Sequence, residues 1–320
     1  MTLDPQAEAF LKAMKDAGAQ PFETMSPAEA RVAVLAFKDL AGEPEDVDRI
    51  DHGFIPGPTA DLAVRIYRPV RGEPGPLPGL IYFHGSGWVV ANIGVCDSFS
   101  RSLANRTGCM VVAVNYQKAP EHKFPIPLDD CYAATRWVVD NASVLGVDRG
   151  RIGVIGDSAG GNLAAAVTLR ARDEHGPQLA YQVLIYPAVQ YGWDTPSALA
   201  NAEGFLLQRA SMTYFWNHYV RHPRDGMHPY CSPLAAEDHS GLPPALIVSA
   251  EFDPLCDDGR NYADKLAAAG VPVKFSLYKG MIHGFLWMSG VLEQSKALLD
   301  EIGREAKAAL WTIPKSASKA

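Results

Sequence analysis

Seven short apolar runs separated by segments of helical periodicity constrain this chain more than any other feature. The runs are Leu62–Tyr67, Leu80–Phe83, Val111–Tyr116, Ile152–Ile155, Gln182–Tyr186, Ala245–Ser249 and Val273–Tyr278. The later ones are continuous rather than alternating and rich in Val and Ile, as strands buried on both faces of a parallel sheet are. Helical patterns fill the intervals, notably at Asp129–Asn141, Asn162–Arg172 and Asp258–Ala269. The alternation predicts an α/β fold, a central mostly parallel sheet flanked by helices. At 320 residues the chain is long enough to bury roughly three quarters of its unfolded surface, so neither disulfides nor a metal is required to hold it together.

Two segments stand outside the alternation. Ala7, Phe10, Leu11 and Met14 mark one face of an amphipathic helix, and Ser26-Pro27-Ala28-Glu29 is a capping box opening a second helix whose face is Ala33, Ala36, Phe37 and Leu40. Residues 1–50 are therefore expected to form N-terminal cap helices, and residues 51–320 the main α/β unit. Within that unit, Pro187 to Asp225 carries Tyr191, Trp193, Phe205, Tyr214, Phe215, Trp216 and Tyr219, with a helix beginning near Gln208. An insertion after a strand's carboxyl end is where such sheets carry elements that cover a ligand. "RGEPGPLPG" at 71–79 reads as a loop, and "KSASKA" at the C-terminus as a disordered tail.

Charge and cysteine usage exclude several classes. A formal net charge of −7 without a Lys/Arg run repels a phosphate backbone, so no nucleic-acid partner is expected. The stretch "MTLDPQAEAFLKAMKDAG" lacks the basic start and apolar core of a signal peptide, and no apolar run reaches the roughly 20 residues of a membrane span. The five cysteines are an odd number without C-x-x-C spacing. Together these predict a cytoplasmic protein without a metal site.

The chemistry begins at "RIGVIGDSAGGNLAAAVTLRAR", where a short strand runs through Gly156-Asp157-Ser158-Ala159-Gly160-Gly161 into a helix. This is G-x-S-x-G in the strand–turn–helix context that exposes a serine on a sharp turn. A Gly-rich turn of this kind also suits phosphate, but neither G-K-[ST] nor G-x-G-x-x-G is present. A nucleophilic serine needs a base, and the base an orienting acid. Asp253 follows "PPALIVSA" and His283 follows "VKFSLYKG", each just beyond a predicted strand. Glu251, Asp257 and Asp258 compete as the acid, the last two being equally at home in the first turn of the following helix. His218, His222, His228 and His239 fall in the insertion or its exit loops and are expected to be mostly solvated.

An acyl-transfer serine also needs donors for an oxyanion. The run "LIYFHGSGWVV" from Leu80 to Val90 supplies a strand ending in a glycine-rich loop, whose backbone can approach a carbonyl closely. The expected donors are the N–H groups of Ser86, Gly87 and Ala159, with Gly85 as the next candidate. His84 is read as orienting the loop through hydrogen bonds, and "APEHKFP", Ala119 to Pro125, as a structural segment.

Taken together, "YFHGSGW", "NYQKAPEHKFP", "GDSAGGNLA", "EFDPLCDDG" and "GMIHGF", in this order and spacing, resemble the bacterial hormone-sensitive-lipase-like esterases within the α/β hydrolases. The resemblance runs from about residue 60 to the end. It implies an α/β-hydrolase fold with a helical cap, a Ser158–His283–Asp253 triad, hydrolysis of short to medium acyl esters with an optimum near butyrate to hexanoate, and no cofactor. It places Trp88, Asp157, Phe205, Leu206 and Phe285 in the substrate pocket and makes a homodimer through an edge strand such as Val273–Tyr278 plausible. Two departures stand out: Ser86 replaces the second glycine of the usual H-G-G-G, and Cys256 stands where the family commonly has Arg, read here as packing. Lactone or amide hydrolysis and a dehydratase would use the same residues; a non-catalytic receptor of related fold would lack His283.

Overall fold

The computed structural model describes residues 2–70 and 75–312; residues 71–74 of the expected loop and the tail at 315–320 lie outside the described residues. One eight-stranded sheet organises the chain. Its strands are β1 (Arg49–Ile55), β2 (Leu62–Arg68), β3 (Leu77–Phe83), β4 (Met110–Asn115), β5 (Val147–Asp157), β6 (Tyr181–Ile185), β7 (Ala245–Phe252) and β8 (Val273–Ile282). The spatial order is β1-β2-β4-β3-β5-β6-β7-β8. β1 and β2 run antiparallel to their neighbours, and every pairing from β4 to β8 is parallel. Leu80–Phe83, Val111–Val114 and Leu246–Val248 have essentially no solvent contact, because helices cover both faces of the central strands.

All seven expected strands form. β1 is the addition: "RIDHGFI" is an edge strand with mostly exposed side chains, so it lacks the apolar continuity that reveals buried strands. Leu77 to Gly79, expected as loop, pair in β3 with Val147, Met110 and Ile152. Helix Glu293–Leu310, which packs beside helix Asp97–Thr107, is also additional; its buried Leu298, Leu299, Ile302, Ala306 and Leu310 keep a helical period.

Helix Pro5–Asp16 is capped by the Asp4 carboxylate, and helix Pro27–Ala33 by the Ser26/Glu29 capping box. The second expected helix is not continuous: it tightens to a 3₁₀ turn at Val34–Ala36 before resuming at Phe37–Leu40. Arg31 ties this region to the sheet's loops, donating to the carbonyls of Val89 and Ala119 (both 2.9 Å) and to both carboxylate oxygens of Glu121. The insertion occupies the whole interval between Ile185 and Ala245, and so extends past Asp225, with helices Pro196–Ala200, Arg209–Tyr219 and Pro223–Gly226. It meets the N-terminal region where the rings of Phe22 and Phe215 lie 5.5 Å apart and Ser211 donates to Glu23 at 2.6 Å. His239 corrects the solvated reading: it is buried, with its Nε2 3.0 Å from the Pro233 carbonyl. Among the described residues no helix is long and apolar enough to cross a membrane.

Candidate active site

At the carboxyl end of β5 the backbone turns into helix Ala159–Asp173 through Ser158, which adopts φ +56°, ψ −121°. A non-glycine residue in that sparsely populated region stores on the order of 1–3 kcal/mol, sustained only when the surroundings dictate it. Here the surroundings are close backbone. A Cβ on Gly160 would run into the Phe83 carbonyl, so β3 and the helix start can be adjacent only with glycine there.

Asp253 lies directly after β7 and His283 directly after β8, so parallel neighbouring strands deliver both loops to the same end of the sheet. His283 Nε2 is 2.9 Å from Ser158 Oγ, and His283 Nδ1 is 2.7 Å from Asp253 Oδ2. The other Asp253 oxygen accepts the Leu255 N–H at 2.8 Å, and Asn201 donates to the Asp253 carbonyl at 3.2 Å. The fully buried carboxylate is thus held in one orientation toward the ring. The rival acids are engaged elsewhere. Glu251 accepts the Gly280 N–H, Asp257 the Ser197 N–H, and Asp258 the N–H groups of Val189 and Gln190. Burial raises the Asp258 carboxyl well above the usual carboxylate range. Asp257 and Asp258 thus anchor the insertion to the acid-bearing loop, and Glu251 ties β7 to β8. Cys256 opens the helix after that loop, its N–H donating to the Asp253 carbonyl at 3.0 Å.

The glycine-rich loop after β3 faces Ser158 from the other side. Gly87 takes φ +52°, and a Cβ there would strike the Phe215 ring, so this position is closed to other residues. Ser86 is not in the left-handed region and carries no such strain. Its Oγ accepts the Trp88 N–H at 2.9 Å and lies 2.5 Å from the Tyr116 hydroxyl, which donates to the His84 carbonyl at 2.7 Å. Among the described residues nothing accepts from the N–H of Ser86 or Gly87, and Ala159 is the first residue of its helix, whose N–H has no partner within the helix. Gly85 is different: its N–H donates to Asp157 Oδ1 at 2.8 Å, which removes it from the oxyanion candidates. Asp157 lines the Ser158 pocket and also accepts from the Tyr82 hydroxyl at 2.8 Å. Burial pushes its carboxyl up to about 6 against the opposing pull of these donors. His84 is buried and stacked on Tyr116, with Nδ1 3.1 Å from the Gly85 carbonyl; burial, then nearby Lys118, push it down to about 3, so it is neutral. The 119–125 segment braces the loop, the Ala119 N–H donating to the Trp88 carbonyl at 2.9 Å.

Trp88, Asp157 and Leu206 border the pocket at Ser158. Phe205 and Phe285 do not. Phe205 packs on Phe252 and faces an adjoining groove, while Phe285 is wholly buried behind Tyr186, its ring 5.9 Å away. Tyr186 is a pocket residue the sequence reading passed over. It ends β6's run with φ +36°, and its fully buried ring lies 4.5 Å from His283. A tyrosine closing an apolar strand carries no sequence signal for that position. Among the described residues no group of three His, Cys, Asp or Glu side chains is placed to hold a metal.

Comparison with known proteins supplies the family. Residues 80–287 match a protein family described as having the α/β-hydrolase fold. An esterase of Mycobacterium tuberculosis, LipI, is 36% identical over 91% of this chain and 85% of its own length. An ethyl acetate hydrolase of Pseudomonas putida is 36% identical over 92% of this chain and 95% of its own. The crystal structure of an α/β-hydrolase enzyme from the metagenome of Lake Arreo, Spain, superposes with a TM-score of 0.94 at 41% identity, covering 97% of this chain and 99% of that one. The chain belongs to the hormone-sensitive-lipase-like esterases of the α/β-hydrolase superfamily and is a carboxylic ester hydrolase.

Proposed function

We propose that Ser158, His283 and Asp253 hydrolyse esters of short acyl groups in two acyl-transfer steps. The observation that carries this is the unbroken path Ser158 Oγ–His283–Asp253, facing the free N–H groups of Ser86, Gly87 and Ala159. His283 takes the Ser158 proton as Oγ attacks the ester carbonyl, and Asp253 stabilises the resulting imidazolium. The three N–H groups receive the oxyanion, with the helix N-terminus behind Ala159 adding positive potential. His283 returns the proton to the departing alcohol, and water then releases the acid by the same route.

Pocket size supports the short end of the acyl range. The cavity at Ser158 measures about 80 Å³. An apolar cavity of about 150 Å³ accommodates benzene, so acyl groups of about two to four carbons fit without displacing the walls. Initial rates on p-nitrophenyl esters from acetate to laurate, for wild type and Ser158→Ala, test the reading. Turnover that peaks at a short chain and vanishes in the variant supports it; turnover surviving in Ser158→Ala refutes the assigned nucleophile.

Two broader readings belong with this one. Among the described residues the outer edge of β8 has no strand neighbour, which favours pairing of two copies there; sedimentation of the purified protein tests it. All five cysteines are unpaired and four are buried, which favours a reducing compartment. Cell fractionation checks that assignment.

A further inference from the structure

A second apolar cavity begins where the Ser158 pocket ends. It lies between helix Pro5–Asp16, the turns that follow it and the insertion, and measures about 750 Å³, roughly nine times the 80 Å³ at Ser158. Phe10, Leu11, Met14, Met25 and Leu40 supply its apolar lining, and Lys12, Lys15 and Gln208 contribute polar groups. Three side chains, Phe22, Phe37 and Leu206, border both cavities. Each is only half-buried, although each is a large apolar group packed against the core.

Two of the three shared side chains, Leu206 and Phe37, lie on the histidine's side of the reaction centre, while Phe22 packs on Phe215 beside the oxyanion loop. A methyl placed on Gly284, next to His283, would sit 3.4 Å from Leu206, and the ring of Phe37 meets that of Trp287 edge-on at 6.2 Å. In ester cleavage the leaving oxygen must come within hydrogen-bond reach of His283 Nε2 to take up its proton. A chain attached to that oxygen therefore departs toward Phe37 and Leu206, while the acyl group stays in the tight pocket.

Resting on the esterase reading above, we propose that this groove is the subsite for the alkyl chain of the leaving alcohol. The preferred substrates are then small-acyl esters of long-chain alcohols rather than long-chain acids esterified to small alcohols. Hydrolysis itself is unchanged: the alcohol leaves with the Ser158 proton carried by His283, and water then supplies the hydroxyl of the acid and restores the Ser158 proton.

Octyl acetate and ethyl octanoate test this cleanly, because they are isomers of equal size and differ only in which side of the ester carries the chain. With kcat/KM measured below the solubility limit, each methylene on the alcohol side is expected to add about three- to fourfold until the groove is filled. Octyl acetate should exceed ethyl acetate by at least about 100-fold and ethyl octanoate by at least about tenfold. Ala33→Trp and Ala36→Trp, which fill the groove without touching the Ser158 pocket, should collapse the ratio of octyl to ethyl acetate toward one. That ratio is read within each variant and does not depend on how much protein folds. Ethyl octanoate matching octyl acetate, or an alcohol-chain gain that survives both tryptophans, overturns the subsite. Hydrolysis of none of these esters by wild type would instead remove the esterase reading on which it rests.

Discussion

Replacing Ser86 by glycine restores the H-G-G-G sequence usual in this family, and the structure says what that costs. The Tyr116 hydroxyl spends its proton on the His84 carbonyl at 2.7 Å, so the 2.5 Å contact with Ser86 Oγ must be donated by the serine. The same Oγ accepts the Trp88 N–H at 2.9 Å. Glycine removes both bonds and leaves a buried N–H and a buried phenol oxygen each short of a partner. At about 1 kcal/mol net for each bond, the loop that presents the Ser86 and Gly87 N–H groups loses roughly 1–2 kcal/mol of restraint. If that restraint is expressed in the transition state, kcat falls about 5- to 30-fold while KM stays nearly constant. Tyr116→Phe breaks the same relay, so the double variant should lose no more than the worse single variant, whereas independent effects would multiply. The assay is kcat and KM on p-nitrophenyl acetate for the four proteins, with thermal unfolding measured alongside. Wild-type kcat in Ser86→Gly would refute the positioning argument. A folded Ser86→Gly protein below one hundredth of wild-type turnover would refute it in the other direction, since the hydroxyl would then be doing more than holding a loop.

Asp253→Asn leaves the geometry but presents the wrong hydrogen-bonding group to His283, and kcat should drop about 10⁴-fold; a loss below tenfold would return the role to a rival acid. Gly87→Ala meets both the left-handed φ of +52° and the Phe215 ring, so kcat and thermal stability should fall together, as activity and melting assays would reveal. Asp157 titrates near 6 in the fold against 3.8 for an ordinary aspartate, so the folded state binds more protons between those values and stability falls as pH rises from about 4 to 6. Asp157→Asn removes this dependence, and relative to it wild type should lose on the order of 3 kcal/mol across that window in denaturant melts; a constant difference from pH 4 to 7 would contradict the raised titration.

The sheet was legible wherever burial on both faces writes itself as an unbroken apolar run. Leu80–Phe83 and Val111–Val114 have essentially no solvent contact, and of their side chains only Tyr82 carries a polar atom, which donates to the buried Asp157. β1 was illegible for the opposite reason: at the sheet's edge its side chains face water, and Phe54, 76% exposed, gives no periodicity to detect. The insertion was recognised from its aromatic residues, but its end was not, because residues 226–244 return over the surface through short turns and a single 3₁₀ segment, Pro233–Ala235, without a composition change. The break at Val34–Ala36 escaped because an apolar face with helical spacing survives a single turn of tighter winding.

The candidate site divides along a different line. Ser158, Asp253 and His283 could be named because strand ends are readable and chain order links them, but which backbone N–H groups remain free depends on contacts between residues far apart in sequence. Gly85 and Gly87 look equivalent in "HGSGW". They part company only because Asp157, 72 positions after Gly85, turns its carboxylate onto one N–H and not the other. Tyr186 and Phe285 show the same dependence: each follows a strand's carboxyl end, and the turn at φ +36° brings Tyr186 to the histidine while Phe285 packs behind it. Local pattern therefore identifies groups that act through their side chains, whereas groups that act through the backbone are chosen by what the rest of the fold has already taken. The oxyanion loop sits at that boundary: the sequence marks Ser86 as a departure, but only the fold puts its hydroxyl at the centre of the loop's hydrogen bonding.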